Sequence, residues 1–476
     1  MNNWCRNILH IVLTLIFCLQ LCACSGDAPW RYDPGPPDRP TGLTATADNG
    51  QVALNWSTAH NAAEYAIYFS TTPGVSRTSG TKIATVVGTS YIQAGLANGT
   101  TYYFVVTSVN SNSESAESNQ VAATPEMLGP YVQADLAGTW NFSILVAGTN
   151  AGWMRGSVTV DNAGAVAFNS FLDSTGHTQS PVYLLPALFV ASDGRVRDVP
   201  AGTPTFQGVM ALGRKMIVAH ATPDPASPMI AILQKQVPGV MFSDAGDVQG
   251  FGNTGGGARR FIYSQIASGF NPEWEFAAGQ IGKDQKIKYT SFIAPSNPAQ
   301  PGDKASMLNI SADGMVTESL TGAVPQPAAV IDRGVMSADK SIIVGTATDT
   351  SGAAPRYLLR IYQMENIIPN DPTTFSMADL AGAYDLRTLL TGVTPLSAAG
   401  SIVINSSGSA AYTAYVDSTG TTSLPPDVNL AMDVSGVLST AADPTALGKL
   451  SYFKDMFVIT KTDSRGACSL SIGLRR

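Results

Sequence analysis

Ala134-Asp135-Leu136-Ala137-Gly138-Thr139-Trp140 opens a stretch, residues 134–176, that the chain writes again as residues 378–420. The second writing begins Ala378-Asp379-Leu380-Ala381-Gly382, and both close on Asp-Ser-Thr-Gly, at 173–176 and 417–420. They align without a gap, and about a third of the positions are identical. A middle copy lies between them. Gly208-Val209-Met210 with Ile217-Val218 and Thr222 returns as Gly334-Val335-Met336 with Ile343-Val344 and Thr348, then more loosely as Gly448 with Phe457-Val458 and Thr462. The period is about 120 residues, the signature of an array of one structural unit. The units are placed at 131–237, 242–365 and 375–476.

Each unit reads as a run of short strands. In the first they are Thr139–Val146, Gly156–Val160, Ala165–Leu172, Ala187–Ala191, Arg195–Val199, Phe206–Met210, Met216–Ala221 and Met229–Lys235. Val158 and Val160, like Ile402 and Ile404, alternate with polar neighbours, as a strand with one buried face requires. Turns ending in glycine punctuate the strands: Asp161–Gly164 with Asn405–Gly408, and Ser192-Asp193-Gly194 with Ala312-Asp313-Gly314 and Val434-Ser435-Gly436. Glycine there supplies the positive φ of a hairpin loop. The fold class expected is therefore all-β, with three tandem antiparallel meanders. Each meander closes as a small barrel, or alternatively the three together make one six-bladed propeller. Asp135 through Trp140 resembles the Gly-x-Trp start of calycin-type barrels such as lipocalins, although Phe261 and Tyr384 replace the Trp in the other copies.

Upstream, residues 40–125 show β-prone runs at Leu43–Ala47, Gln51–Ser57, Glu64–Ser70, Lys82–Val87, Thr101–Asn110 and Asn119–Thr124. Pro40 with Leu43, Trp56, Tyr65 with Tyr68, and Leu96-x-x-x-Thr100-x-Tyr102 occur in the order found in a fibronectin type III domain, which this segment resembles. The last motif matches the tyrosine corner, in which a buried phenol bonds upstream backbone. The resemblance implies a sandwich used as a spacer or binding surface, with Trp56 and Tyr102 as core.

The N-terminus reads as an export signal. Arg6 precedes a mostly apolar run from Ile8 to Leu21, too short for a comfortable membrane span, and small residues follow. Leu21-Cys22-Ala23-Cys24 resembles the lipobox of bacterial lipoproteins. That implies a signal peptide at 1–23, lipidation of Cys24, and, with Ser25 next, sorting to the outer membrane, facing either the periplasm or the exterior. Such a chain is anchored to the bilayer without spanning it. Residues 24–39, with Pro29, Pro34, Pro36 and Pro37, read as a semi-extended tether.

Composition narrows the function. Of 476 residues only 13% are charged, with 28 Lys plus Arg against 35 Asp plus Glu, a net charge of −7. That is about half the usual charged share, and it leaves no basic face for nucleic acid. Cys24 and Cys468 alone would remain after signal removal, so no disulfide framework is expected. His60, His177 and His220 lie in separate segments without ligand spacing, so no metal is expected. Gly250-Phe251-Gly252-Asn253-Thr254-Gly255 spells a dinucleotide fingerprint but lacks the helix that such a site requires, so no cofactor is expected. Glu273 and Glu275 flank Trp274 and would share one strand face, as an acid and base across a sugar would need to. Trp153 and Trp274 occupy corresponding places in two copies and could stack on a ligand, with Ser397 in the third. The expectation is a non-catalytic, membrane-anchored protein whose modules meet protein or polysaccharide partners. The alternatives are a small-ligand carrier with calycin-like cavities and a propeller glycosidase or lyase using Glu273 and Glu275.

Overall fold

A computed structural model describes residues 35–476, apart from short stretches of which the longest are 179–184, 200–204, 243–258, 321–331 and 366–374. Residues 1–34 lie outside it, and with them the expected signal peptide and Cys24; so does the Gly250–Gly255 motif. The N-terminal module is a two-sheet sandwich. Thr44–Asp48, Gln51–Asn55 and Ser90–Gln93 make one sheet, while Thr81–Val86, Glu64–Ser70, Tyr102–Val109 and Val121–Ala123 make the other. Ser90–Gln93 is a strand beyond those the sequence pattern marks, its apolar alternation being only four residues long. Trp56 and Tyr65 pack edge to face at 5.5 Å in the core. The Ala97 N–H donates to the Tyr102 hydroxyl at 3.1 Å, as the tyrosine corner demands.

Each of the three repeats curls until its first strand pairs with its last. In barrel one, Gly138–Val146 is bonded to Gly152–Val160 on one side and to Met229–Lys235 on the other. The join between Val166–Asp173 and Phe189–Val190 is made by the bridge Ala165 to Ala187 and by Leu188 N–H donating to Gly164 O at 2.8 Å. In barrel two, Arg259–Gly269 lies between Trp274–Ile281 and Arg356–Met364, and every neighbouring pair around the ring is hydrogen-bonded. In barrel three, Gly382–Thr391 lies between Leu396–Ile404 and Cys468–Arg475, and Leu430 N–H donates to Gly408 O at 2.8 Å. Closure leaves few unpaired edges. The propeller alternative is overturned: each copy is one continuous sheet, not a pair of four-stranded blades.

Trp140, Phe261 and Tyr384 stand at the same place and are all fully buried. The Trp140 indole donates to Leu136 O at 2.7 Å and the Tyr384 hydroxyl to Leu380 O at 2.9 Å. In barrels one and three a cation from the last strand, Lys235 or Arg475, covers the ring at 5.3 Å. A second aromatic, Tyr131, Phe242 or Phe375, precedes each barrel and lies over the hairpin glycine 194, 314 or 436. Arg214, Lys340 or Lys454 faces its ring at 5.3–5.7 Å.

The barrels close a ring of their own. Strands one and two of barrel one pack on the last two strands of barrel two. Those of barrel two pack on the last two of barrel three, and those of barrel three on the last two of barrel one. This is a heterologous, head-to-tail contact repeated three times, and it closes because the rotation per step is near a third of a turn. A shared core runs where the three meet: Val218 and Ile232, Val344 and Leu359, and Val458 and Ile472 belong to one buried cluster. Each such side chain contributes about 1.5–3 kcal/mol. The last two strands of every barrel are thus covered on both faces. Met216–Ala221 is buried at all six positions, and it reads as a continuous apolar run rather than an alternating one. The fibronectin-like core reaches the ring through Tyr452 of barrel three.

Candidate functional site

The residues that recur between copies meet at the seams of the ring. Trp153, early in the second strand of barrel one, is buried, and its indole N–H donates to Thr348 Oγ1 of barrel two at 2.8 Å. Trp274 of barrel two does the same to Thr462 of barrel three, also at 2.8 Å. Arg155 lies over the Trp153 ring at 4.2 Å and donates to Thr346 O at 3.2 Å. Burial, with Arg333 nearby, pushes the Arg155 guanidinium down to about 10. The strand carrying Trp153 starts at Gly152 rather than Gly156, which places the indole within the sheet instead of on a loop.

The seam from barrel three to barrel one is built differently. Ser397 takes the tryptophan's place. Arg387 crosses instead, its Nε donating to Gln207 O at 2.9 Å. Beside it His220 is buried, and burial together with the Arg387 charge pushes its imidazole down to about 3. His220 is therefore neutral in the fold.

The carboxylates of interest belong to the interior of barrel two. Glu275 Oε2 accepts from the Tyr263 hydroxyl at 3.1 Å, and Arg360 donates to Gln265 at 2.6 Å and to Glu318 at 2.8 Å. Tyr263, Tyr289 and Tyr362 surround this group with ring centroids 5.0–6.3 Å apart. Burial pushes the phenols of Tyr263 and Tyr362 well up, so they stay neutral donors. Glu273 pairs with Arg356 at 3.0 Å, and Arg356 also binds Asp349. Each glutamate is thus tied to its own donor. The polar interior of barrel two escaped sequence reasoning. Its signal was the even spacing of Arg356, Arg360 and Tyr362 along one strand, which puts them on one face.

Barrel one differs. Phe142, Phe168, Phe171 and Phe206 line its interior and leave a cavity of only about 10 Å³, room for one water at most. The repeated Asp173 and Asp417 make turns: each accepts two backbone N–H groups at 2.9–3.0 Å. Cys468 is a free, buried thiol at the seam of barrels two and three, raised to about 11 by burial and by Glu273. Among the described residues, no group of three or more His, Cys, Asp or Glu is gathered as a metal ion would need.

Comparison with known proteins bears on the N-terminal module. Residues 38–124 match the family described as Fibronectin type III domain. The chain is 37% identical over 87 residues to Poly(3-hydroxybutyrate) depolymerase of Ralstonia pickettii, covering 18% of this chain and 16% of that protein. It is 41% identical over 87 residues to Amylopullulanase of Thermoanaerobacter thermohydrosulfuricus, covering 18% and 6%. The solved structure of an Fn3-like protein from Clostridium thermocellum is 35% identical over 19% of this chain and 96% of that one, with a TM-score of 0.18. The chain thus spans less than a fifth of either curated relative. Residues 38–124 are accordingly a fibronectin type III domain, a module of the binding or scaffold kind, set on a ring of three β barrels.

Proposed function

We propose that this protein is a non-catalytic lipoprotein of the cell envelope, moored to the outer membrane through Cys24, whose fibronectin type III domain and barrel ring form a rigid platform for protein or carbohydrate partners. One observation carries the reading. The side chains that the repeats preserve are spent on holding the ring together, as in Trp153 to Thr348 and Trp274 to Thr462. Arg356 engages Glu273 and Tyr263 engages Glu275, which supports a role in packing rather than in proton transfer. Leu21-Cys22-Ala23-Cys24 and the proline-rich stretch after it support the mooring and a tether that lifts the platform off the bilayer.

Mass spectrometry of the mature N-terminus, from membranes of a cell with an intact lipoprotein pathway, tests the address. A diacylglyceryl group on Cys24 is expected, and Cys24→Ser is expected to release the protein to the soluble fraction. An unmodified Cys24 in that membrane fraction overturns the mooring. Depolymerisation of polysaccharide by the purified chain, lost in Glu273→Gln or Glu275→Gln, overturns the non-catalytic reading.

A further inference from the structure

The three first hairpins, one from each barrel, converge at one end of the common axis. Gly148, Gly269 and Gly392 stand at corresponding turns, with φ of 85°, 91° and 124°. At Gly148 an added Cβ would lie 2.0 Å from Ala226 O, so main chain rather than side chain forms the wall there. Between the hairpins is a cleft of about 410 Å³, within the usual range of small-molecule sites. No residue lining it carries a charge, and Thr149, Ser268 and Thr391 bring hydroxyls. Thr391 is 1% exposed, and its Oγ1 has no hydrogen-bond partner among the described residues.

We propose that this axial cleft binds a neutral, polyhydroxylated small molecule the size of a monosaccharide, with Thr391 Oγ1 as one of its hydrogen-bonding partners. The class follows from the walls. An ion would be stripped of water with no counter-charge to meet it. Hydroxyls and turn backbone both donate and accept, which suits a ligand made of hydroxyls. Ser268 Oγ already donates to Val146 O at 2.7 Å and keeps its lone pairs for accepting. A buried hydroxyl left unpaired is costly unless something visits it. The inference goes beyond the platform reading, which places no ligand on the axis, and it does not depend on Cys24.

The test is titration of the purified mature chain, followed by calorimetry and by saturation-transfer NMR. Glucose, galactose and N-acetylglucosamine are the neutral probes; glucuronate and glucosamine are their charged counterparts. At least one neutral sugar is expected to bind saturably and to exceed its charged counterpart by about tenfold or more. Thr391→Val, which keeps the shape, is expected to weaken that binding about tenfold without lowering the melting temperature of the unliganded protein. Thr149→Val, at an exposed position of the cleft wall, is expected to weaken it as well. Saturable binding by none of the neutral sugars overturns the proposal, and so does binding that both variants leave intact.

Discussion

The indole nitrogen of Trp153 and the hydroxyl of Thr348, 195 residues apart in the chain, meet at 2.8 Å across a boundary between barrels. One copy further on, Trp274 and Thr462 repeat the contact over 188 residues at the same distance. A donor buried at such a seam must be satisfied by the neighbouring barrel, because its own barrel has spent its acceptors on the ladder. The pair therefore specifies which face of the next copy can dock.

Trp274→Phe keeps most of the ring and removes the donor, so it is expected to cost about 1–2 kcal/mol, whereas Trp274→Ala leaves a cavity and costs about 3–5 kcal/mol. Combined with Thr462→Val, Trp274→Phe should lose less than the sum of the two single changes. Denaturant unfolding of the four proteins measures the coupling; strict additivity would show that the hydrogen bond contributes nothing.

Acid should loosen the third seam. Burial, then the Arg387 guanidinium, holds the His220 imidazole down to about 3, against an ordinary value near 6.5. The unfolded chain takes up that proton first, so stability is flat above about pH 6.5 and falls as pH drops toward 3. At about 1.4 kcal/mol per pH unit, the loss by pH 5 is about 2 kcal/mol. His220→Gln should remove this slope between pH 6.5 and 5; the same slope in the variant would assign the effect to another group.

Arg360→Met strands Glu318 inside barrel two and is expected to cost about 3–5 kcal/mol. Pairing it with Glu318→Gln should restore much of the loss, since a half-broken ion pair is worse than none. A thermal melt that shows no recovery in the double variant would mean that the cost lies in packing of the arginine stem.

Gly436 has φ of +82°, and a Cβ there would lie 3.0 Å from the Phe375 ring; Gly466 has φ of +80° with nothing within 4 Å. Both Ala variants suffer the backbone strain of about 1–3 kcal/mol, but only Gly436→Ala also displaces an aromatic ring. The larger loss of melting temperature is expected in Gly436→Ala.

Cys468 should resist alkylation near pH 8 in the native protein, because its thiol is buried and raised to about 11. Labelling should be complete on unfolding and measurably faster in Trp274→Ala, whose indole packs in the same cluster as Cys468. Rapid labelling of the native chain would place the thiol at the surface.

Much of this architecture was legible residue by residue. Alternating Val158 and Val160, the turn glycines and the twice-written Ala-Asp-Leu-Ala-Gly are local facts, and local facts decide strands, hairpins and the number of copies. Tyr102 and Trp56 were legible for the same reason, since each alternates with apolar neighbours onto the inner face of its strand. The runs Met216–Ala221 and Met229–Lys235 also carried a message: a strand apolar at successive positions has both faces covered. What covers the outer face is not written in the run itself.

A chain of β modules, a threefold repeat and the residues that recur within it can be read along the chain, because side-chain alternation and turn chemistry act over a few residues. That Trp153 belongs with Thr348, that Arg360 sits among tyrosines and that three barrels share one axis emerges in the folded molecule alone. The first of these contacts joins residues 195 positions apart. Such contacts are selected by how whole barrels fit together, and no periodicity along the chain records that.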